Sequence, residues 1–413
     1  MAVASQRRND GMTTRGRRAL RCAFVSGLLH HRRAVHRRRG YDAGDMHARA
    51  SAVVLLLLAV ASCGSPPPTE APALLPVRAT GVVPHDPDDP AIWVHPTDPR
   101  RSLILATDKV AAVGGLHVFD LDGHLRQSLA PLDRPNNVDV EYGLQSPAGP
   151  IDVAVVTERL QHRLRLFQVP ADGGPVQDLA PAGLPVLEGQ TGEAAEPMGI
   201  AVYKRPRDGA VFAIVAPKTG GGTDYLWQYH LTIAAEGPVA RLVRRFGRFS
   251  GLGPQPGEAG EIEAVVVDDE LGYVYYADEQ YGIRKWHADP EHPQAATELA
   301  VLGRTGYLGD REGLALHRRA DGSGYLVSSD QVPGGSRLMI YSRGGGTGGP
   351  HEQPILHVVP TTADETDGLD VSSVPLPGFA DGLLVMMNST PRNFLLFAWG
   401  DVARRLRATA PPR

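Results

Sequence analysis

Apolar residues along this chain fall in short runs, alternating or continuous, each stopped by Gly, Pro or Asp. Runs of four to seven residues with such punctuation read as strands, half or fully buried. One form, an apolar residue closed three positions later by an aromatic, with an apolar third position in four cases, recurs six times: 116–119, 164–167, 226–229, 283–286, 338–341 and 394–397. The closing aromatics stand 48, 62, 57, 55 and 56 residues apart. A second apolar run precedes each of these, at 103–107, 151–157, 211–216, 273–277, 325–328 and 383–387. A third precedes that one, at 91–94, 138–142, 199–203, 264–267, 313–317 and 368–371. Six such units predict an all-β fold: a six-bladed β-propeller of four-stranded antiparallel blades around a central channel, which hides its sheet edges by radial closure. Little follows Trp399 to give the sixth unit an outer strand, so residues 74–83 are predicted to supply it and close the ring.

Composition agrees, since 47 Gly and 35 Pro leave little room for long helices. The ends read differently. Residues 1–45 are rich in Arg and His without apolar periodicity, and read either as a basic arm or as sequence upstream of a start at Met46. The second reading is preferred, because residues 46–62 carry one Arg and then the apolar stretch 52–61, too short to span a bilayer and suited to a secretory signal. Val60-Ala61-Ser62-Cys63 resembles a bacterial lipobox, which implies cleavage before Cys63, lipid on its thiol and placement in the cell envelope. Residues 63–76, with three prolines in a row at 66–68, are expected to form a stiff tether to a propeller spanning 77–407.

Removing residues 1–62 leaves 30 Lys+Arg against 43 Asp+Glu, a net charge near −13. Such a balance opposes nucleic-acid binding. Cys22 leaves with the leader and Cys63 carries lipid, so no disulfide is expected and a monomer must rest on its core and on metals.

The acids are not scattered. Asp86-Pro87-Asp88-Asp89-Pro90 packs three carboxylates into four residues before a strand, and like charges this close resist ionising together unless a cation compensates them. The strand opening each unit is preceded, or nearly so, by Asp88-Asp89, Asp139, Glu196, Glu263, Glu312 and Asp367. Further acids end the next strand: Asp108, Glu158, Asp278-Glu279 and Asp330, with Asp310 and Gln331 adding oxygens. The plain alternative is that strand ends are solvated and attract acids. Recurrence in six units favours a ring that holds Ca²⁺, which takes six to eight oxygen ligands. Zinc fits poorly, because the mature chain lacks Cys ligands and its His residues are scattered. Lys109, Arg159 and Lys218 follow the second strand in three successive units, and bases beside metals make an anion site, for which phosphate is the natural guest.

At these residues the chain resembles the β-propeller phytases: Asp88-Asp89-Pro90-Ala91-Ile92-Trp93, Asn136-Asn137-Val138-Asp139, Ala277-Asp278-Glu279 with Ile283-Arg284-Lys285-Trp286, and Asp310-Arg311-Glu312-Gly313-Leu314. The likeness runs from about His85 to Trp399 with its motifs in order. It implies Ca²⁺-dependent hydrolysis of phytate, myo-inositol hexakisphosphate, with several ions. By position it implies metal ligands at Asp88, Asp89, Glu263, Glu279, Asp310, Glu312, Gln331 and Asp367, catalytic roles for Glu263, Glu279, Asp310 and Glu312, and phosphate-binding roles for Lys109, Arg159 and Lys218. The chain departs from the family pattern at His85, Val110, Met198 and Glu141, and its loop near 362–367 is shorter, with Asp364 the only nearby stand-in for another structural-calcium Asp.

Two other readings stand beside this one. A propeller lactonase or phosphotriesterase would use one buried calcium with Asn and His ligands, which the many-acid mouth fits poorly. A non-catalytic surface lipoprotein would bind a phosphorylated ligand or a protein partner without turnover, since propellers often bind rather than catalyse.

Overall fold

Alternation within each apolar run decides which neighbour a side chain meets, because successive strand residues face opposite ways. In the second blade Val153 and Val155 turn toward the third blade, while Ala154 and Val156 turn toward the first. The same division repeats around the ring, so the apolar interior consists of six clusters, each wedged between two successive blades. The computed structural model describes residues 72–408. Within them each predicted run lies on a strand, one residue at an end apart.

Six antiparallel sheets result. The first blade runs outward through Pro87–Trp93, Leu103–Asp108, Gly114–Asp120 and Leu125–Leu132. The second uses Pro135–Ser146, Gly149–Glu158 and Arg163–Val169, and its outer edge is broken into Gln177–Asp178 and Leu184–Pro185. Pro175, Pro181 and Pro185 in that stretch lack the N–H groups a continuous ladder needs. The third comprises Pro197–Lys204, Val211–Pro217, Thr223–Ala234 and Gly237–Arg248. The fourth comprises Val265–Asp268, Tyr273–Asp278, Gly282–His287 and Ala300–Leu302, and the fifth Leu314–Arg318, Gly324–Asp330, Arg337–Ser342 and Ile355–Pro360.

The sixth blade closes as predicted. Leu369–Ser372, Leu383–Asn388 and Asn393–Ala398 come from the C-terminal end, and Arg78–Ala79 joins as the outer strand, with Arg78 opposite Leu396. Closure begins earlier than the expected domain start at 77: Leu74 is buried, its N–H meets the Pro360 carbonyl at 2.8 Å, and it packs into the cluster between the fifth and sixth blades. The rest of the expected tether up to residue 71, the leader and the Cys63 lipid site lie outside the described residues. Among the described residues, three short 3₁₀ turns at Pro99–Arg101, Arg159–Gln161 and Gly192–Ala195 were not predicted, nor was the helix Trp399–Ala408. Its buried Trp399, Val402 and Leu406 recur at helical spacing and cover the same cluster as Leu74.

Near the axis the inner strands approach so closely that side chains must be absent. A Cβ on Gly199 would lie 2.3 Å from the Glu263 carbonyl oxygen, and one on Gly368 would lie 2.7 Å from the Asp89 Cα. The first three inner strands also bulge where they open, between Pro87 and Pro90, Pro135 and Val138, and Pro197 and Ile200. Bulges re-aim side chains, and these lie at the mouth of the channel.

Candidate active site: an acidic mouth with paired bases

The bulges and close-approach glycines bring six positions into register at the start of the inner strands: Asp88, Asn136, Met198, Glu263, Glu312 and Asp367. This corrects the expected ring at two points. Asp139 sits three residues deeper than Asn136, where it accepts the Val202 N–H at 2.7 Å from the next blade. Glu196 lies beside the ring rather than in it, and pairs with Arg159 at 2.9 Å.

Acids at the ends of the second strands divide sharply. Asp108 meets His85 at 2.8 Å, Glu158 meets Arg163 at 2.6 Å, Asp278 meets Arg284 at 2.8 Å, and Asp330 pairs with Arg337. Asp278 also accepts the Ser250 hydroxyl at 2.6 Å. Each of these carboxylates is buried and anchors a loop or the third strand. His85, one of the departures from the family pattern, belongs to this anchoring set. Glu279, one residue beyond Asp278, has no such partner and turns to the mouth.

There the acids collect. Carboxylate oxygens of Glu261, Glu263 and Glu279 lie within 4.8 Å of one another, and so do those of Glu279, Asp310 and Glu312. Glu279 thus belongs to both groups. Asp310 also accepts from the Gln280 amide, and its backbone bridges to Gln331. The Gln331 amide donates to Asp367 at 2.6 Å. One oxygen each of Glu279 and Glu312 is buried without a hydrogen-bond partner, and buried Asp88 meets Lys109 through one oxygen while its other has none. Burial raises the pKa of Glu312 well above the ordinary carboxylate range, and Glu279, Glu263, Asp367 and Asp310 push the same way. Glu279 is raised first by burial and then by Glu263, Glu261 and Asp310. Buried polar atoms are normally satisfied, so bare oxygens gathered like this match the donor set of a hard cation.

The predicted bases occupy the same mouth. Lys109 Nζ stands 2.6 Å from Asp88, 3.1 Å from Asp367 and 3.9 Å from Glu263. Burial works against its charge, but Asp88, Glu263 and Asp367 outweigh that and hold its pKa well above the usual lysine value. Arg159 donates to Asn136 at 3.0 Å, and Asn136 in turn donates to Glu263. Lys218 pairs with Glu261.

Asp89 is placed differently from the other expected ligands. Its Oδ2 accepts the Val138 N–H at 3.0 Å and it lines the channel below the mouth. Glu141 lies farther still, five residues along the inner strand from Asn136 or roughly 16 Å, and lines the opposite opening. That departure therefore does not reach the bases at the mouth. Met198 fills its ring position without an oxygen and is buried.

Reading along the chain missed Glu261, Asn136 and Gln280 as members of the site. The period-2 spacing of Glu261 and Glu263 was the available signal, since both then face one way. Asn136 shows its role only through Arg159 and Glu263, which are remote in sequence.

Fold and mouth together define a propeller whose one mouth gathers carboxylates that could hold metal, with bases beside them. Comparison with known proteins agrees: the chain belongs to the phytase family, which matches residues 56–391. It is 28% identical over 333 residues to the 3-phytase of Bacillus subtilis (strain 168), covering 77% of this chain and 81% of that protein. A crystal structure of a protein from Lactobacillus plantarum is similar with a TM-score of 0.42 at 15% identity, over 76% of this chain and 80% of that one, and carries no argument.

Proposed function

We propose that this protein hydrolyses the phosphomonoesters of phytate with Ca²⁺ held at the channel mouth. What carries the reading is the set of buried carboxylate oxygens without partners, one each on Asp88, Glu279 and Glu312, beside Glu261, Glu263 and Asp310. Glu263, Glu279, Asp310 and Glu312 would hold the ions closest to the reacting phosphate, with Asp88, Asp367 and Gln331 completing the oxygen set. Bound Ca²⁺ would offset phosphoryl charge and supply an activated water.

The chain's own residues do the rest. Lys109 compensates Asp88 and Asp367 and keeps the inner wall of the mouth from repelling an anion. Arg159 and Lys218 each hold a single carboxylate, Glu196 and Glu261, and can exchange it for a phosphate oxygen. Asn136 orients Glu263 toward the mouth by donating to it. No side-chain nucleophile is required.

Phosphate release from sodium phytate, measured while Ca²⁺ is titrated into metal-stripped protein, tests this. Release that rises with Ca²⁺ and stops with EDTA is expected. Protein that binds both calcium and phytate yet releases nothing would move the assignment to a binding propeller. We also propose a lipid anchor at Cys63, for which processing insensitive to globomycin is the contrary result.

A further inference from the structure

A second cavity, of about 790 Å³, lies at the end of the fifth blade's inner strand remote from Glu312. It opens between the 318–324 hairpin and the C-terminal helix, whose Trp399, Ala403 and Arg407 line it at four-residue spacing. Its inner wall is His317, only 5% exposed, with its ring stacked on Trp399 at 4.1 Å and 11°. Neither ring nitrogen has a hydrogen-bond partner of good geometry, although the Asp381 backbone and that of His317 itself lie near enough to act on the ring. A buried imidazole without a well-formed hydrogen bond is costly, and nothing at the mouth explains it.

The rim is basic. Arg318 pairs with Glu270 at 3.0 Å, and Glu270 is shared with Arg343 at 2.8 Å. Arg319 donates to the Tyr325 hydroxyl at 2.8 Å and lies 4.8 Å above that ring, with no carboxylate partner among the described residues. Arg407 likewise has no carboxylate partner among them, and the one remaining acid of the lining is Asp381. Two guanidinium groups and an imidazole thus border one hollow, with Asp381 in its lining and Asp321 of the hairpin near Arg319 as the acids not held in an ion pair.

We propose that this cavity binds a small oxyanion of the phosphate class, held by Arg319 and Arg407 at the rim and by an N–H of His317 at the inner wall. The two oxygens of a carboxylate lie in one plane on one side of the ion, whereas the tetrahedral oxygens of phosphate can meet donors converging from three directions. His317 serves as a neutral donor, because burial, followed by Arg319, holds its pKa down to about 4. Binding here involves no covalent step and does not rest on the reading of the mouth.

Calorimetric titration of inorganic phosphate into the full protein, freed of divalent ions on a chelating resin, tests the proposal. One saturable phosphate is expected, weakened at least about tenfold in the R319A/R407A variant by loss of two charge-assisted contacts. Both side chains are exposed, so this variant should melt as the parent does. An R159A/K218A variant, altered at the mouth, should retain the site, and acetate at equal ionic strength should not compete. Unchanged affinity in R319A/R407A, no saturable phosphate, loss in R159A/K218A alone, or equal competition by acetate would each overturn it.

Discussion

Both openings of the channel are rich in carboxylates, yet the two sets are compensated by different means. At the far opening Asp139 accepts the Val202 N–H at 2.7 Å, Asp370 the Ile92 N–H at 2.8 Å and Asp269 the Lys204 N–H at 3.1 Å. Each bond crosses from one blade to another, so these acids staple the ring. At the mouth, one buried oxygen each of Asp88, Glu279 and Glu312 has no hydrogen-bond partner. The first set raises cohesion and asks for nothing further. The second is repulsive until cations arrive, which is what a site that must hold metal requires.

The largest expected effect separates the two ends through activity. Glu312→Ala or Glu263→Ala should lower phosphate release about a hundredfold or more, the scale of removing one preorganised transition-state contact, while Asp370→Ala should leave turnover near the parent value. Equal losses in steady-state assays would erase the distinction. Next in size is a change of sign. Glu312→Gln removes one like charge, so it should raise the melting temperature of metal-free protein and lower it in saturating Ca²⁺. A shift in the same direction under both conditions would argue against a metal role for Glu312. Chelation of the parent should itself lower the melting temperature.

Asp370→Ala tests the staples directly. It leaves the Ile92 N–H without its acceptor, and a loss of about 1–3 kcal/mol is expected in denaturant melts. No loss would mean that water replaces the carboxylate freely.

The smallest effect concerns pH. Burial raises Asp139 to about 7 and Asp370 to about 6. Both folded values exceed the unfolded value near 3.8. Their favourable contribution is therefore fully present below that unfolded value and is lost as pH rises through the folded values, from about 4 to about 7. Asp139→Asn keeps an acceptor for Val202 but cannot ionise, so its stability relative to the parent should improve between pH 5 and pH 8. A constant difference across that window, read by chemical denaturation, would remove Asp139 from the account.

The fold was legible because its signals are local. Period-2 apolar runs and their sixfold recurrence are written in adjacent residues, and the shortage of an outer strand after Trp399 pointed to the N-terminal segment that supplies it. The helix Trp399–Ala408 escaped notice because one short helical face is faint beside repeated strands. At the site, residue types and approximate positions were legible, including Lys109, Arg159, Lys218 and the acids around Glu279. Their pairing was not. Asp139 looked like a ring member from its place in the repeat, and only the bulge between Pro135 and Val138 shows that Asn136 holds that position.

By itself the amino-acid sequence determined that six strand-rich units close into a propeller and that acids and bases recur where the units begin. The tertiary structure decided which acids are neutralised and which are left bare. Asp278 and Glu279 are neighbours in the chain, yet one is held by Arg284 and Ser250 and the other faces Glu263, Glu261 and Asp310. Lys109 reaches Asp367 across 258 residues. Charge compensation acts over a few ångströms of space, and ring closure sets those distances independently of separation along the chain.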